Sequence, residues 1–373
     1  MNGFVSNTVA GTGNNFIAFL KKGEKRTFLS YIKPVYNGRF IWKFWYANTV
    51  DSTFSDGSEA YADRSGGNFT VESAFIGLSD RADGKHIRSK ALITYNGNIC
   101  KKVATDERFW SDEIEFSVSE GEYLVFGWTI VAEDEITVIP LSPDSQIPCF
   151  VSSGNENFQN TLNAPKPNLF AIKKNDVKQL GFLGDSITQG CGTRIDKYEF
   201  WAARIGYALK EEYSSWNLGL GFARAKDAAQ KGNWFYKACQ CDEIIICLGI
   251  NEILGNPEQD SGDILSSLDK IISGLRENNC DIKITLFTLP PPNDPQARLD
   301  IWRKVNYGIR NELIKRIDDF FDIALVLGNS NGVDYLSVCN DLHPDGSGGK
   351  IVADAFLNHY YKNRKGMIEI ETL

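Results

Sequence analysis

A hydroxyl, an imidazole and a carboxamide that together suit acyl transfer stand far apart in this sequence: Ser186, His343 and Asn251. Ser186 lies in Gly184-Asp185-Ser186-Ile187-Thr188, directly after an apolar run containing Leu180, Phe182 and Leu183. A serine on a tight turn past the C-terminal end of a buried strand stands clear of the sheet, where a ligand reaches it. The spacing is not the G-x-S-x-G elbow of the α/β-hydrolases. His343, one of 3 histidines, precedes the last helical stretch and offers a base for the serine proton. The backbone N–H groups of Ser186 and of the turn 219–222, with the side-chain amide of Asn251, supply donors for a tetrahedral oxyanion. Each such donor is worth about 3–4 kcal/mol in the transition state. Taken singly, each residue has a duller use, because serine caps helices, glycine makes turns and asparagine does both. Their conjunction at the ends of successive predicted strands points to chemistry.

Those ends belong to an alternating pattern. Apolar runs at 180–183, 216–218, 243–248, 282–287 and 323–327 read as strands. Between them lie helical stripes: Trp201, Ile205 and Leu209; Ile264, Leu268, Ile271 and Leu275; and Ile301, Val305, Ile309, Leu313 and Ile317. A final helix is expected at 351–360. Strands apolar throughout and alternating with helices predict a parallel sheet covered on both faces. The N-terminal part lacks helical periodicity. It has β-rich runs at 39–46, 68–71, 90–95 and 122–131, separated by turn pairs such as Asn37-Gly38, Asp83-Gly84 and Asn96-Gly97. Such spacing predicts an all-β sandwich, jelly-roll-like. Trp42, Trp45 and Trp128 lie within apolar runs and read as its core rather than as a sugar platform. The polar stretch 152–161, with Pro165 and Pro167 after it, reads as a linker. The expected domains are therefore a β-sandwich over 1–155 and an α/β domain over 175–373.

Four blocks in order (Gly184-Asp185-Ser186-Ile187-Thr188, the glycine turn after Asn217, Gly249-Ile250-Asn251, and His343-Pro344) resemble the SGNH (GDSL-type) hydrolase superfamily. The resemblance covers roughly residues 178–360 and implies a flavodoxin-like three-layer domain that hydrolyses esters. It also extends to carbohydrate esterases with an N-terminal β-sandwich, which implies deacetylation of carbohydrates. By the same resemblance Ser186 is the nucleophile and His343 the base, with Gly221 and Asn251 in the oxyanion hole. Two positions depart from the pattern. Phe222 stands where the family has glycine, with Gly221 beside it. The aspartate expected three residues before the histidine is here Asn340, with Asp341 one residue later. Asp341 is expected to orient His343; Asn340 or a backbone carbonyl are the alternatives. A neutral partner would fix the tautomer but stabilise the imidazolium less.

Bulk properties narrow the rest. The 373 residues are 42% hydrophobic and 24% charged, with a formal net charge of −8 and no basic cluster. Nucleic acid and anionic membrane are therefore not expected as partners. No apolar run approaches the roughly 20 residues of a membrane helix, and no signal peptide is visible at Met1, so a cytoplasmic location is expected. The 8 cysteines do not form a disulfide framework, and Cys239-Gln240-Cys241 lacks a second pair that would make it a metal site. No cofactor is implied. The expected activity is hydrolysis of short-chain, chiefly acetyl, esters on a small-molecule or oligosaccharide substrate. The alternatives are a lipase or thioesterase for longer chains, and a carbohydrate-binding protein whose SGNH site has decayed.

Overall fold

The computed structural model describes residues 3–54, 60–143, 145–154, 157–255, 259–294, 297–329, 334, 338–340 and 342–365. The chain separates into two units, 1–177 with 214–216, and 178–213 with 217–373.

The first unit is built of antiparallel strands. Gly38–Ala47 pairs with Leu169–Lys173, Arg108–Trp110 and Ile114–Val118 in one sheet. In a second sheet Tyr123–Ala132 lies between Lys25–Ile32 and Phe69–Ser79. Alternate side chains of the two sheets interlock: Phe44 meets Phe126 at 5.1 Å and Tyr46 meets Trp128 at 5.2 Å between ring centroids. Trp42, Trp45 and Trp128 are buried, as their apolar settings suggested. Asn96 and Gly97 have φ of 51° and 77°, the consecutive left-handed pair that a tight hairpin turn requires. The expected linker is corrected. Gln159–Thr161 pairs with Cys149–Ser152, and Leu169–Lys173 joins Phe4–Ser6 and Gly38–Ala47, so the first unit runs on to Val177. Proline and polar residues mark turns, but they do not reveal that a strand beyond them pairs with one far earlier in the chain.

The second unit holds a five-stranded sheet: β1 (Lys178–Gly184), β2 (Tyr213–Gly219), β3 (Glu243–Cys247), β4 (Lys283–Phe287) and β5 (Asp319–Phe321), in the order β2-β1-β3-β4-β5. The pairs β1/β3, β3/β4 and β4/β5 are parallel. Its helices are α1 (Ser186–Gln189), α2 (Trp201–Ala208), α3 (Ala225–Ala229), α4 (Asn233–Ala238), α5 (Ile250–Gly255), α6 (Ser261–Asn278), α7 (Leu299–Asn311), α8 (Ile323–Leu327) and α9 (Gly346–Lys365). They form two groups, α2 and α8 against α9, and α3 and α7 against α6. The predicted stripe of α6 (Ile264, Leu268, Ile271 and Leu275) is wholly buried. With this strand order the chain leaves β1 in opposite directions to β2 and β3, which makes the end of β1 the switch point where ligands gather.

The fifth strand is not 323–327. That run is α8, capped by Asp322, whose carboxylate accepts the Leu325 N–H, and the edge strand is Asp319–Phe321 just before it. A short apolar run has no period to tell strand from buried helix, and the cap decided it. No helix among the described residues is long and apolar enough to cross a membrane.

Candidate active site

β1 is buried from Gln179 onward and ends at Gly184. Asp185 then caps the single turn α1, its carboxylate accepting the Ile187 N–H at 2.9 Å. The N–H groups of Gly190 and Cys191 both return to the Ser186 carbonyl, at 3.1 and 3.0 Å. Gly190, at φ 104°, closes the turn in the left-handed conformation. Ser186 is thus the first residue of a helical turn, where the backbone N–H has no acceptor within the helix. Its side chain remains partly exposed while Ile187, Thr188 and Gln189 are buried.

Two glycines leave room for this turn. A Cβ on Gly184 would lie 1.9 Å from Thr188 Oγ1, and one on Gly219 would lie 2.3 Å from the Gln189 nitrogen. The end of β2 therefore packs directly on the backbone of α1. Asn217 ties them, accepting the Gly219 N–H at 2.8 Å and donating to the Thr188 carbonyl at 3.0 Å.

His343 reaches the serine from a short ribbon, His343–Pro344 paired with Cys339–Asn340. Its Nε2 lies 2.8 Å from Ser186 Oγ, across 157 positions of sequence. In the tautomer with Nε2 unprotonated, the serine hydroxyl donates and the imidazole accepts, the arrangement of a base poised to take the proton. Gly192, at φ 85°, packs against the base of the side chain: a Cβ there would lie 2.5 Å from His343 Cβ. Beyond the histidine, Asp345 accepts the N–H groups of Ser347 and Gly348 at 2.8 and 3.0 Å and anchors the start of α9. Asp341 lies outside the described residues. Asn340 is the backbone register partner of His343.

Residues 182–351 match the model of the GDSL-like Lipase/Acylhydrolase family. Apart from Ser214–Trp216, the matched residues lie within the second unit. Among solved structures, a family two carbohydrate esterase from Clostridium thermocellum in complex with cellohexaose is similar at 14% identity and TM-score 0.41, covering 98% of this chain and 99% of that one. A member of the lipolytic protein G-D-S-L family from Veillonella parvula is similar at 18% identity and TM-score 0.41, covering 48% and 96%. The esterase EstA from Pseudoalteromonas follows at 13% identity and TM-score 0.38, covering 50% and 99%. No curated protein matches.

The groups expected to serve as oxyanion donors have protein partners in the structure. Gly221 gives its N–H to Gln189 Oε1 at 3.1 Å, a bond the sequence did not foretell. Asn251 donates one amide hydrogen to the Ala223 carbonyl at 2.8 Å, and a primary amide has a second. Phe222 adopts φ 64°, a left-handed conformation that favours glycine. Gln189 and Glu252 are further members of this shell. Glu252, fully buried, accepts the Lys226 N–H at 3.3 Å next to Asn251, and burial pushes its carboxyl up to about 7. Burial likewise pushes Asp185 up to about 7, against the opposing pull of the backbone N–H groups around it. The only forewarning of either was an acidic residue set directly beside a motif residue.

The remaining sequence candidates lie elsewhere. His359 is half-buried and pairs with Asp319 at 2.8 Å. Exposed His86 pairs with Asp83. Burial pushes the Cys239 thiol up to about 11 and raises Cys241 as well, so neither is a ready thiolate.

Proposed function

We propose that this protein hydrolyses short-chain acyl esters, chiefly acetates of carbohydrates, through an acyl-enzyme on Ser186. The observation that carries the reading is the 2.8 Å contact between His343 Nε2 and Ser186 Oγ at the end of β1. As Oγ attacks the ester carbonyl, Nε2 takes its proton. The same proton passes to the alcohol oxygen as the carbon–oxygen bond breaks, leaving the acyl group on Ser186. Water, deprotonated by His343, then attacks the acyl carbonyl, and the returning proton frees the serine. The Ser186 N–H, the second Asn251 amide hydrogen and the Gly221 N–H, once it exchanges Gln189 for substrate, are the proposed oxyanion donors. Asp341 is the proposed partner that orients His343. A flavodoxin-like sheet, with its switch point at the end of β1, would place these groups together.

The carbohydrate assignment has two supports. One is the resemblance of a sheet-rich N-terminal unit followed by a GDSL-like domain to carbohydrate esterases. The other is an open cleft of about 870 Å³ in the second unit, lined by Gly192, Arg194, Glu199, Arg204, Ser347 and Lys350 among others. Through Gly192 it adjoins His343, which protonates the leaving alcohol. Its charged walls suit a hydroxylated alcohol.

The test is hydrolysis of p-nitrophenyl acetate and butyrate, and acetate release from an acetylated oligosaccharide, by the wild type and Ser186→Ala. Activity on all three that disappears in the mutant supports the reading. Activity that survives the mutation contradicts it.

A further inference from the structure

At Phe222 the backbone and the side chain ask for different residues. The Ala223 N–H bonds the Leu220 carbonyl at 3.2 Å, closing a four-residue turn with Phe222 at its third position. There φ is 64°, a conformation open to glycine and costly for a bulky side chain. The Phe222 side chain is not sunk in the core: 45% of the residue's surface stays exposed. A left-handed phenylalanine left half-open is the kind of strain that function retains.

The turn's two ends fix where it stands. The Leu220 N–H bonds the Gly184 carbonyl at 3.0 Å, one residue before the Asp185 cap and two before the nucleophile. The Ala223 carbonyl accepts the Asn251 amide at 2.8 Å. Phe222 therefore sits on the segment between the nucleophile's strand end and the proposed oxyanion donor. A carbonyl carbon bonded to Ser186 Oγ carries three other substituents. Its oxygen must face the donors, and its alcohol oxygen must face His343 Nε2 to be protonated. The acyl chain takes the remaining direction, away from His343.

We propose that the Phe222 ring walls the acyl side of the site and is the specificity-determining residue that admits acetyl and short acyl groups while obstructing longer ones. This deepens the ester-hydrolase reading above and rests on it. Glycine at this position would relieve the backbone and lengthen the pocket together.

The experiment measures kcat/KM for p-nitrophenyl acetate, butyrate and octanoate with wild type, Phe222→Gly and Phe222→Asn. Both substituents tolerate the left-handed region, so both variants should fold, with melting temperatures at or above that of wild type. The octanoate-to-acetate ratio is expected to rise at least tenfold in each. A ratio within twofold of wild type overturns the proposal, as does a parallel fall on all three esters. A parallel series of acetates with alcohols of increasing size separates the two sides of the site. If the variants respond to alcohol size while the acyl ratio stays fixed, the ring serves the alcohol side and the acyl assignment is overturned. Wild type inactive on every ester, or activity that survives Ser186→Ala, is a different failure: it removes the ester-hydrolase reading and this proposal with it.

Discussion

The turn of Ser186 and the loop of His343 meet at 2.8 Å, yet they are built by opposite means. The serine side is nearly all local main chain. A seven-residue strand, the Asp185 cap, two N–H groups on the Ser186 carbonyl and the close fit at Gly184 hold it within residues 178–191, with Gly219 packed on its backbone. The histidine side rests on a two-residue strand, backed from far away in the chain by Gly192 and secured beyond by Asp345. One half of the proposed catalytic pair is positioned by a motif, the other by tertiary packing. Disturbing each half should therefore have a different signature.

The largest effects should fall on the pair itself. Ser186→Ala and His343→Ala should each lower kcat/KM on acetate esters by about 10⁴-fold or more, and the double variant should be little worse than either. Losses that add in the logarithm would show that the two residues do not act as a unit.

Gly219→Ala and Gly192→Ala probe the two supports. At 219 a methyl meets backbone only 2.3 Å away, where nothing flexible can yield. Thermal unfolding should show a loss of about 1–3 kcal/mol or more, with activity falling alongside. At 192 the methyl presses on His343 at 2.5 Å. There kcat should fall about 10–100-fold while KM changes little, since a displacement of about 1 Å in a catalytic group can cost that much. If Gly192→Ala were fully active, the histidine would be positioned by something else.

A smaller effect concerns Asp185, whose carboxyl is pushed up to about 7 from an ordinary 3.8. The folded chain then holds the proton more tightly than the unfolded chain does. The resulting stability is complete below about pH 4 and is lost as pH rises to about 7. Asparagine at 185 is neutral throughout, so Asp185→Asn should gain on wild type between pH 5 and pH 8 in urea unfolding, whatever constant offset the change of cap brings. Glu252, also raised to about 7, has the same sign but is present in both proteins and cancels in the difference. A pH-independent difference would mean that Asp185 is ionised at little cost.

The same contrast explains what could be read beforehand. The Ser186 block was legible because strand, cap and turn are encoded by adjacent residues, and the α6 stripe because it keeps its period over four apolar positions. His343 could be named, being one of few histidines and followed by proline before a helix. Its supports could not, since Gly192 touches it only after the chain has folded. For the same reason the strand Leu169–Lys173 was hidden behind two prolines, and the Gly221 N–H behind Gln189. The run 323–327 was misread because five apolar residues carry no period. Phe222 was visible as a departure from the glycine pattern, but only its φ of 64° shows that it holds a conformation that favours glycine.

The most direct test of the central claim, that His343 activates Ser186 as the nucleophile, is covalent labelling with diethyl p-nitrophenyl phosphate followed by peptide mass spectrometry. A single diethyl phosphoryl group on Ser186, formed with release of p-nitrophenol and greatly slowed in His343→Ala, is the predicted result. A fully active enzyme labelled at another residue, or labelled at Ser186 equally fast without His343, would contradict the account.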